Sequence, residues 1–172
     1  MEERRGFIHE KLDIKLLILY VLRRLPAEID GERLAELVLI DGGISYFDYK
    51  DCLAELVQTA QIEEGEDGYR VTAKGSRNCE ILESGLPYTV RRKAERAAAP
   101  VAEEMRRSAM ILANHEAGEG GVTVYLAVND GLGSIFDLKI LAADEAQAKR
   151  IEKNFKKNAE AYYNRFISEL SE

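Results

Sequence analysis

The feature of this sequence that most constrains its fold is a helical segment near the start that is apolar on nearly every side. Residues 16–22 are all hydrophobic, and the surrounding pattern predicts a helix that begins at Asp13 as its N-cap and ends at Leu25, before Pro26. A helix without a polar face must be enclosed by other elements. Because the run is far shorter than the roughly 20 apolar residues that cross a bilayer, we expect the centre of a globular core and no membrane contact.

Further helical patterns and a hairpin follow this segment. Asp30 is placed to begin a short second helix, and Ser45 with Asp48 forms the capping box of a third. The third helix repeats apolar residues at a spacing of three and four, which leaves its acidic residues facing out. The acidic, glycine-containing residues 63–68 then separate two short strands, which predicts a hairpin before a closing helix near residues 72–85. Three helices, a hairpin and a closing helix make a winged helix-turn-helix.

The same residues carry a resemblance to known bacterial regulators. Residues 15–22, 44–57 and 69–75, the last with a strand followed by Thr-Ala-Lys-Gly, resemble the winged-helix part of PadR-type and MarR-type transcriptional regulators. The whole chain is also similar to a bacterial family catalogued as a domain of unknown function, in which this part precedes Leu86-Pro87-Tyr88 and a small α+β tail. The resemblance implies a transcriptional regulator whose third helix reads the major groove of DNA, and it supplies no functional residues.

The middle of the chain predicts a connecting helix. Residues 87–109 are helical in pattern, and Pro100 is expected either to kink one helix or to start a second. Small and apolar residues follow an approximate heptad along this segment: Val90, Ala94, Ala97, Val101, Met105 and Ser108. Such a stripe is suited to pairing between two subunits, which predicts a homodimer, or to packing on its own domain.

The last third of the chain predicts a three-stranded sheet and a helix. Strands are expected at 110–116, 122–128 and 134–141, and the short glycine-containing loops between them require antiparallel pairing. Asp144 and Gln147 have the spacing of a capping box for a final helix. The apolar stripe of that helix should cover one side of the sheet. It consists of Ala148, Ile151, Phe155, Ala159, Tyr162, Phe166 and Leu170.

These patterns together predict an α+β protein in three parts. Residues 1–86 are expected to form the winged-helix domain, residues 87–109 the connecting or dimerisation helix, and residues 110–172 a small α+β domain of β-β-β-α order with an antiparallel sheet.

Charge limits the ways in which the chain could bind nucleic acid. The sequence has 24 Lys and Arg against 31 Asp and Glu, a formal net charge of -7, so any DNA contact must come from a local basic patch. Ser45, Tyr46 and Lys50 at the start of the third helix are the candidates for base contacts. Five cations are the candidates for phosphate contacts: Arg70, Lys74, Arg77, Arg91 and Arg92.

Carboxylates around these residues favour a competing function. Asp48, Asp51 and Glu55 lie on the outward face of the third helix, and four more acidic residues occupy the tip of the hairpin at 63–67. Because carboxylates repel phosphates, the alternative is a module for protein association whose acidic face binds a basic partner. A third hypothesis is that the C-terminal sheet holds a small effector.

Other functional classes receive little support from the sequence. Cys52 and Cys79 are not spaced as a metal or redox motif, and they suggest buried thiols in a cytoplasmic protein. His9 and His115 have no neighbour at a metal-ligand spacing, and no phosphate-binding glycine motif is present. We therefore expect no metal, no cofactor and no enzymatic activity.

Overall fold

The computed structural model describes residues 6–171 and divides into two compact units, the first ending at Met105 and the second beginning at Arg106. The first unit contains α1 (Lys11–Leu22), α2 (Gly31–Val38), α3 (Tyr46–Gln58), β1 (Ile62–Glu64), β2 (Tyr69–Val71), α4 (Ala73–Leu82) and most of α5 (Tyr88–Ala109). The second contains β3 (Ile111–Gly118), β4 (Gly121–Asn129), β5 (Ser134–Ala142) and α6 (Glu145–Leu170). Short 3-10 turns follow α2 and α4, at Leu39–Asp41 and Glu83–Gly85.

The apolar helix α1 is the centre of the first unit, as its sequence predicts. Every residue from Leu16 to Leu22 is buried, and α2, α3 and α4 all pack against it. The predicted N-cap is wrong: the helix begins at Lys11, after Glu10, and Asp13 lies within its first turn. A carboxylate there still faces the partial positive charge of the helix N-terminus, so it suits either position. Among the described residues, none of the helices has the length and apolar character needed to cross a membrane.

The residues predicted to begin α2 and α3 are confirmed. Asp30 accepts hydrogen bonds through Oδ1 from the backbone N–H groups of Glu32 and Arg33, at 2.8 and 3.2 Å. Ser45 Oγ accepts from the N–H of Asp48 at 3.1 Å and donates to its Oδ2 at 2.8 Å. These side chains satisfy amides that the first turn of a helix leaves without partners.

The hairpin after α3 is fixed by a third segment of backbone. In the antiparallel register of β1 and β2, Glu63 faces Arg70, and Tyr69 exchanges two backbone hydrogen bonds with Ile29, at 3.1 and 2.9 Å. Gly68 has φ +132° beside this contact, and a Cβ there would lie 2.1 Å from the Ile29 carbonyl oxygen. Only glycine fits both the backbone angle and the close approach.

The helix α5 is continuous through Pro100, so a second helix does not begin there. Val90, Ala94 and Val101 belong to the core of the first unit, and Ala97 and Met105 pack against it. The stripe that the sequence offers for subunit pairing is therefore largely used within one chain.

The second unit has the predicted sheet, with strand order β3-β4-β5 and antiparallel pairing throughout. Its final helix begins as predicted, since Asp144 caps α6 by accepting from the N–H of Gln147 at 2.6 Å. The expectation that the whole stripe covers the sheet is wrong at its end. Asn158 has non-helical angles (φ -133°, ψ 24°), and beyond it Ala159 is still buried and the Phe166 ring lies 5.6 Å from that of Phe136, whereas Leu170 is 81% exposed.

Candidate nucleic-acid interface

The first turn of α3 presents aromatic side chains to solvent. Ser45 is half-buried as the cap, whereas Tyr46 is 41% and Phe47 82% exposed. The Tyr46 hydroxyl donates to Glu32 Oε1 of α2 at 2.7 Å, and Lys50 Nζ lies 3.8 Å from the same oxygen. Contact with the Tyr46 hydroxyl, and then the charge of Glu32, raise the pKa of Lys50. Tyr46 and Lys50 thus form one cluster, and Glu32 offsets its positive charge.

Contacts of a buried tyrosine attach this turn to α2. Tyr49 is fully buried and its hydroxyl donates to the Gly31 carbonyl at the start of α2, at 2.9 Å. Burial raises the pKa of Tyr49, so this phenol stays neutral at ordinary pH. A Cβ at Gly31 would lie 3.1 Å from the ring of Tyr69, which shows how closely β2 approaches the same place. The start of α3 is therefore hydrogen-bonded to α2 at a point that β2 also approaches closely.

Lysines from α1 lie beside the acidic face of α3. Lys11 Nζ is 3.3 Å from Glu55 Oε1 and 3.7 Å from Asp51 Oδ2, and Lys15 also pairs with Glu55. Hydrogen bonds from Lys15 and Lys11 lower the pKa of Glu55. The outward face of α3 is therefore mixed in charge rather than uniformly negative.

Three of the five predicted phosphate contacts have partners within the first unit. Arg70 pairs with Glu63 across the hairpin and lies 3.8 Å from Glu28. Arg92 Nη1 is 3.2 Å from Glu95 Oε2 on the same helix. Lys74 Nζ donates to the carbonyl oxygen of Thr59 at 2.7 Å, at the C-terminal end of α3.

The other two predicted contacts differ from each other. Arg91 is half-buried, its Nε has no hydrogen-bond partner among residues 6–171, and its guanidinium carbon lies 6.0 Å from the centre of the Tyr88 ring. Arg77 is exposed on α4 and forms no ion pair with any residue from 6 to 171. Arg77 and Arg91 both lack an ion pair within residues 6–171, and Arg77 is the more exposed of the two.

The candidate residues do not all converge on one place. Tyr46 and Lys50 share a cluster after Ser45, but Lys74 lies near the opposite end of α3, and Arg92 lies on α5. The acidic partners Glu28 and Glu32 carry no signal in the sequence, because they come from segments far from Arg70 and Lys50 along the chain, whereas Glu95 lies only three residues after Arg92.

A cavity of about 620 Å³ lies beside the hairpin. Its apolar lining includes Leu22, Leu25 and Val71, and its charged lining consists of Glu28, Glu66, Asp67 and Arg70. The Asp67 N–H donates to Glu28 Oε2 at 3.1 Å. An apolar surface next to three carboxylates and one guanidinium suits a long basic side chain, which has an aliphatic stem and a cationic end.

Comparison with known proteins adds a family without an assigned activity. The sequence profile of a family described as a domain of unknown function (DUF4364) matches residues 14–170. No curated protein matches the chain, and no solved structure does.

Proposed function

The chain belongs to the DUF4364 family, and from the geometry of its first unit we propose that this unit is a winged helix that binds double-stranded DNA within a homodimeric transcriptional regulator. The observation that carries the proposal is the exposed first turn of α3, where Tyr46 and Phe47 face solvent while Tyr49 anchors the helix. N-terminal residues of a recognition helix are the ones that reach base edges in this class of protein. A cytoplasmic location is part of the same proposal.

We assign the phosphate contacts to exposed cations that form no ion pair or only a weak one. Arg77 on α4 and Lys93 and Arg96 on α5 are exposed and form no ion pair with the described part of the chain. Lys50 becomes available when its contact with Glu32 opens. Exposed ion pairs contribute only about 0–1 kcal/mol, so exchanging Glu32 for a phosphate is not prohibitive.

The homodimer in this proposal follows from the geometry of DNA. Helix-turn-helix proteins commonly bind two half-sites one helical turn apart, which requires two reading helices. Because Val90, Ala94 and Val101 are buried in the first unit, the subunit contact would use surfaces other than this stripe.

Fluorescence anisotropy of a labelled duplex over a salt series tests DNA binding. We expect affinity to fall steeply with salt, and Arg77→Ala to weaken binding to all sequences and to reduce the salt slope by about 1. Arg165→Ala is the matched control, because this exposed arginine lies in the second unit. Tyr46→Ala should instead change the preference between sequences. Absence of binding at low salt would contradict the proposal.

A second candidate function is association with a basic protein segment, and the acidic cavity beside the hairpin favours it. One double variant separates the two functions. Replacing Glu66 by Gln and Asp67 by Asn removes two negative charges from the cavity. It should weaken binding of a labelled arginine-containing peptide if the partner is a protein, and strengthen binding of DNA if the ligand is a polyanion.

A further inference from the structure

The second unit contains an apolar cavity of about 250 Å³ between its sheet and α6. Leu126 of β4 and Leu138 and Ile140 of β5 line the side formed by the sheet. Leu126 and Leu138 are paired directly across the two strands, so their side chains project from the same face. Ile151 and Phe155 of α6 line the opposite side.

Backbone hydrogen bonds support one side of this cavity, and helix capping and packing support the other. The strand β4 lies in the centre of the sheet and is hydrogen-bonded to a neighbour on each edge. The first half of α6 is capped by Asp144 and packs on the sheet through Ala148 and Phe155, both of which are buried. The cavity is therefore a space between two well-supported surfaces.

The lining specifies the chemistry of an occupant. Among the residues that the structure describes, those lining the cavity include no charged side chain, and Asn154 and Tyr162 alone supply polar side-chain atoms. Burying an ion among apolar groups without a partner costs several kcal/mol, so a neutral molecule is favoured.

Aromatic rings surround the cavity on the side of β5 and α6. Phe136 lies 6.0 Å from Phe155 and 5.6 Å from Phe166, measured between ring centres, and Phe155 lies 6.2 Å from Tyr162. An aromatic ligand gains offset or edge-to-face contacts with such rings in addition to the burial of its own surface.

The volume limits the size of the ligand. An apolar cavity of about 150 Å³ in another protein holds benzene. A cavity of about 250 Å³ therefore has room for one ring with a substituent or for two fused rings.

The rim of the cavity has apolar surface that the chain leaves uncovered. Tyr162 is 38% and Phe166 42% exposed, and both follow the irregular residue Asn158. A molecule seated between Phe136, Phe155 and Phe166 would contact both halves of α6 and cover part of this surface.

We propose that this cavity is a binding site for a small, uncharged aromatic molecule of one or two rings. The proposal is independent of DNA binding, because the residues that line the cavity belong to the second unit.

Titration of the full-length protein with indole, followed by backbone amide NMR without DNA, tests this site. We expect saturable shifts at Leu138, Phe155 and Phe166, and at least tenfold weaker binding of indole-3-carboxylate, which has the same ring system with a negative charge. Leu138→Phe should fill the cavity and weaken indole binding at least tenfold. Leu141→Phe is the matched control, because Leu141 lies on the opposite face of β5, and it should change the affinity less than twofold.

A second pair of variants covers the case in which Leu138→Phe fails to fold. Phe166→Ala removes one wall and should weaken indole binding about fivefold, whereas Ile167→Ala, next to it but outside the lining, should not. The proposal is overturned if indole shifts none of these amides, if the charged and neutral probes bind equally, or if Leu138→Phe binds indole normally. The proposal would also be overturned if the wild-type protein is a dimer and Phe166→Ala dissociates it, since a second copy of the chain would then occupy the cavity.

Discussion

At the scale of single residues, Asp41 shows how one carboxylate fixes a segment of chain far away in sequence. It is 4% exposed, and its Oδ2 accepts hydrogen bonds from the backbone N–H groups of Phe7 and Ile8, at 2.7 and 2.9 Å. Ile8 is fully buried. A Cβ at Gly43 would lie 2.7 Å from the Ile8 carbonyl oxygen, so the backbone is closely packed here. The carboxylate thus anchors residues 7 and 8 onto the core.

Replacing Asp41 by alanine should lower the free energy of unfolding of the first unit by about 3 kcal/mol, because two amides lose a charged acceptor and one of them is buried. Asp41→Asn keeps one acceptor and should have an intermediate effect. Urea unfolding measures the loss. Asp51→Ala, at an exposed carboxylate, is the control. A stability of Asp41→Ala within about 0.5 kcal/mol of the wild type would contradict this role.

Ionisation of Tyr20 makes the stability of the first unit depend on pH in the alkaline range. Burial, together with the hydrogen bond that its hydroxyl donates to Glu95 at 2.7 Å, raises its pKa to about 12. An unfolded tyrosine titrates near about pH 10, so the folded state holds this proton more tightly. The resulting stabilisation is complete below about pH 10 and is lost as the pH rises towards about 12.

Tyr20→Phe removes this titration, so the stability of the variant should fall less than that of the wild type between about pH 9 and pH 11. Urea unfolding at the two pH values measures the difference, and ultraviolet absorbance follows the ionisation of tyrosine. Tyr88→Phe, at a 68% exposed phenol, is the control for removing a tyrosine hydroxyl. Equal pH dependence in wild type and Tyr20→Phe would show that Tyr20 ionises normally.

At the scale of elements, the sequence predicts where a helix begins better than it predicts which other element packs against that helix. The caps at Asp30, Ser45 and Asp144 are correct because capping depends on residues within one turn. The cap expected at Asp13 is the exception, since α1 begins two residues earlier, at Lys11. The stripe of α6 leaves the sheet at its end, where Leu170 is exposed, for a geometric reason. A helix of 26 residues is about 39 Å long, whereas a strand of 9 residues spans about 30 Å, so the sheet need not extend under the whole helix. Periodicity identifies an apolar face without showing what covers it.

The cap of α6 provides a test at this scale. Asp144→Ala leaves the Gln147 amide without its acceptor and should destabilise the second unit by about 1 kcal/mol. Hydrogen exchange resolved by residue measures this, since amides of α6 should exchange faster while those of α1 do not change. Asp144→Asn retains a capping oxygen and should resemble the wild type. Faster exchange throughout both units would contradict a local effect.

At the scale of the whole molecule, a net charge of -7 says little about any one surface. Lys11 and Glu55 are 44 positions apart, and Arg33 and Glu104 are 71 apart, yet each pair is in contact. Because such pairs depend on tertiary packing, the sequence identifies the cations around α3 without showing which of them are offset. It predicts the position of Tyr46 and Lys50 on α3, but Glu32 has no local pattern that associates it with them.

Glu32 therefore allows the proposed DNA surface to be tested through charge alone. Glu32→Gln keeps an oxygen that accepts from Tyr46 but removes the charge beside Lys50. Glu36→Gln, at an exposed position on the same helix, changes the net charge equally without this contact. Because Glu36 has neither the contact with Tyr46 nor the ion pair with Lys50, the increase in DNA affinity should be larger for Glu32→Gln, about threefold to tenfold.

The salt dependence distinguishes a local effect from a general one. If Lys50 becomes free to contact a phosphate, the salt slope of Glu32→Gln should be steeper than that of the wild type by about 1, as each additional phosphate contact releases about one counterion. Anisotropy over the same salt series measures both variants. Equal slopes for Glu32→Gln and Glu36→Gln would mean that Lys50 does not face DNA, and the reading surface would then have to lie away from the first turn of α3.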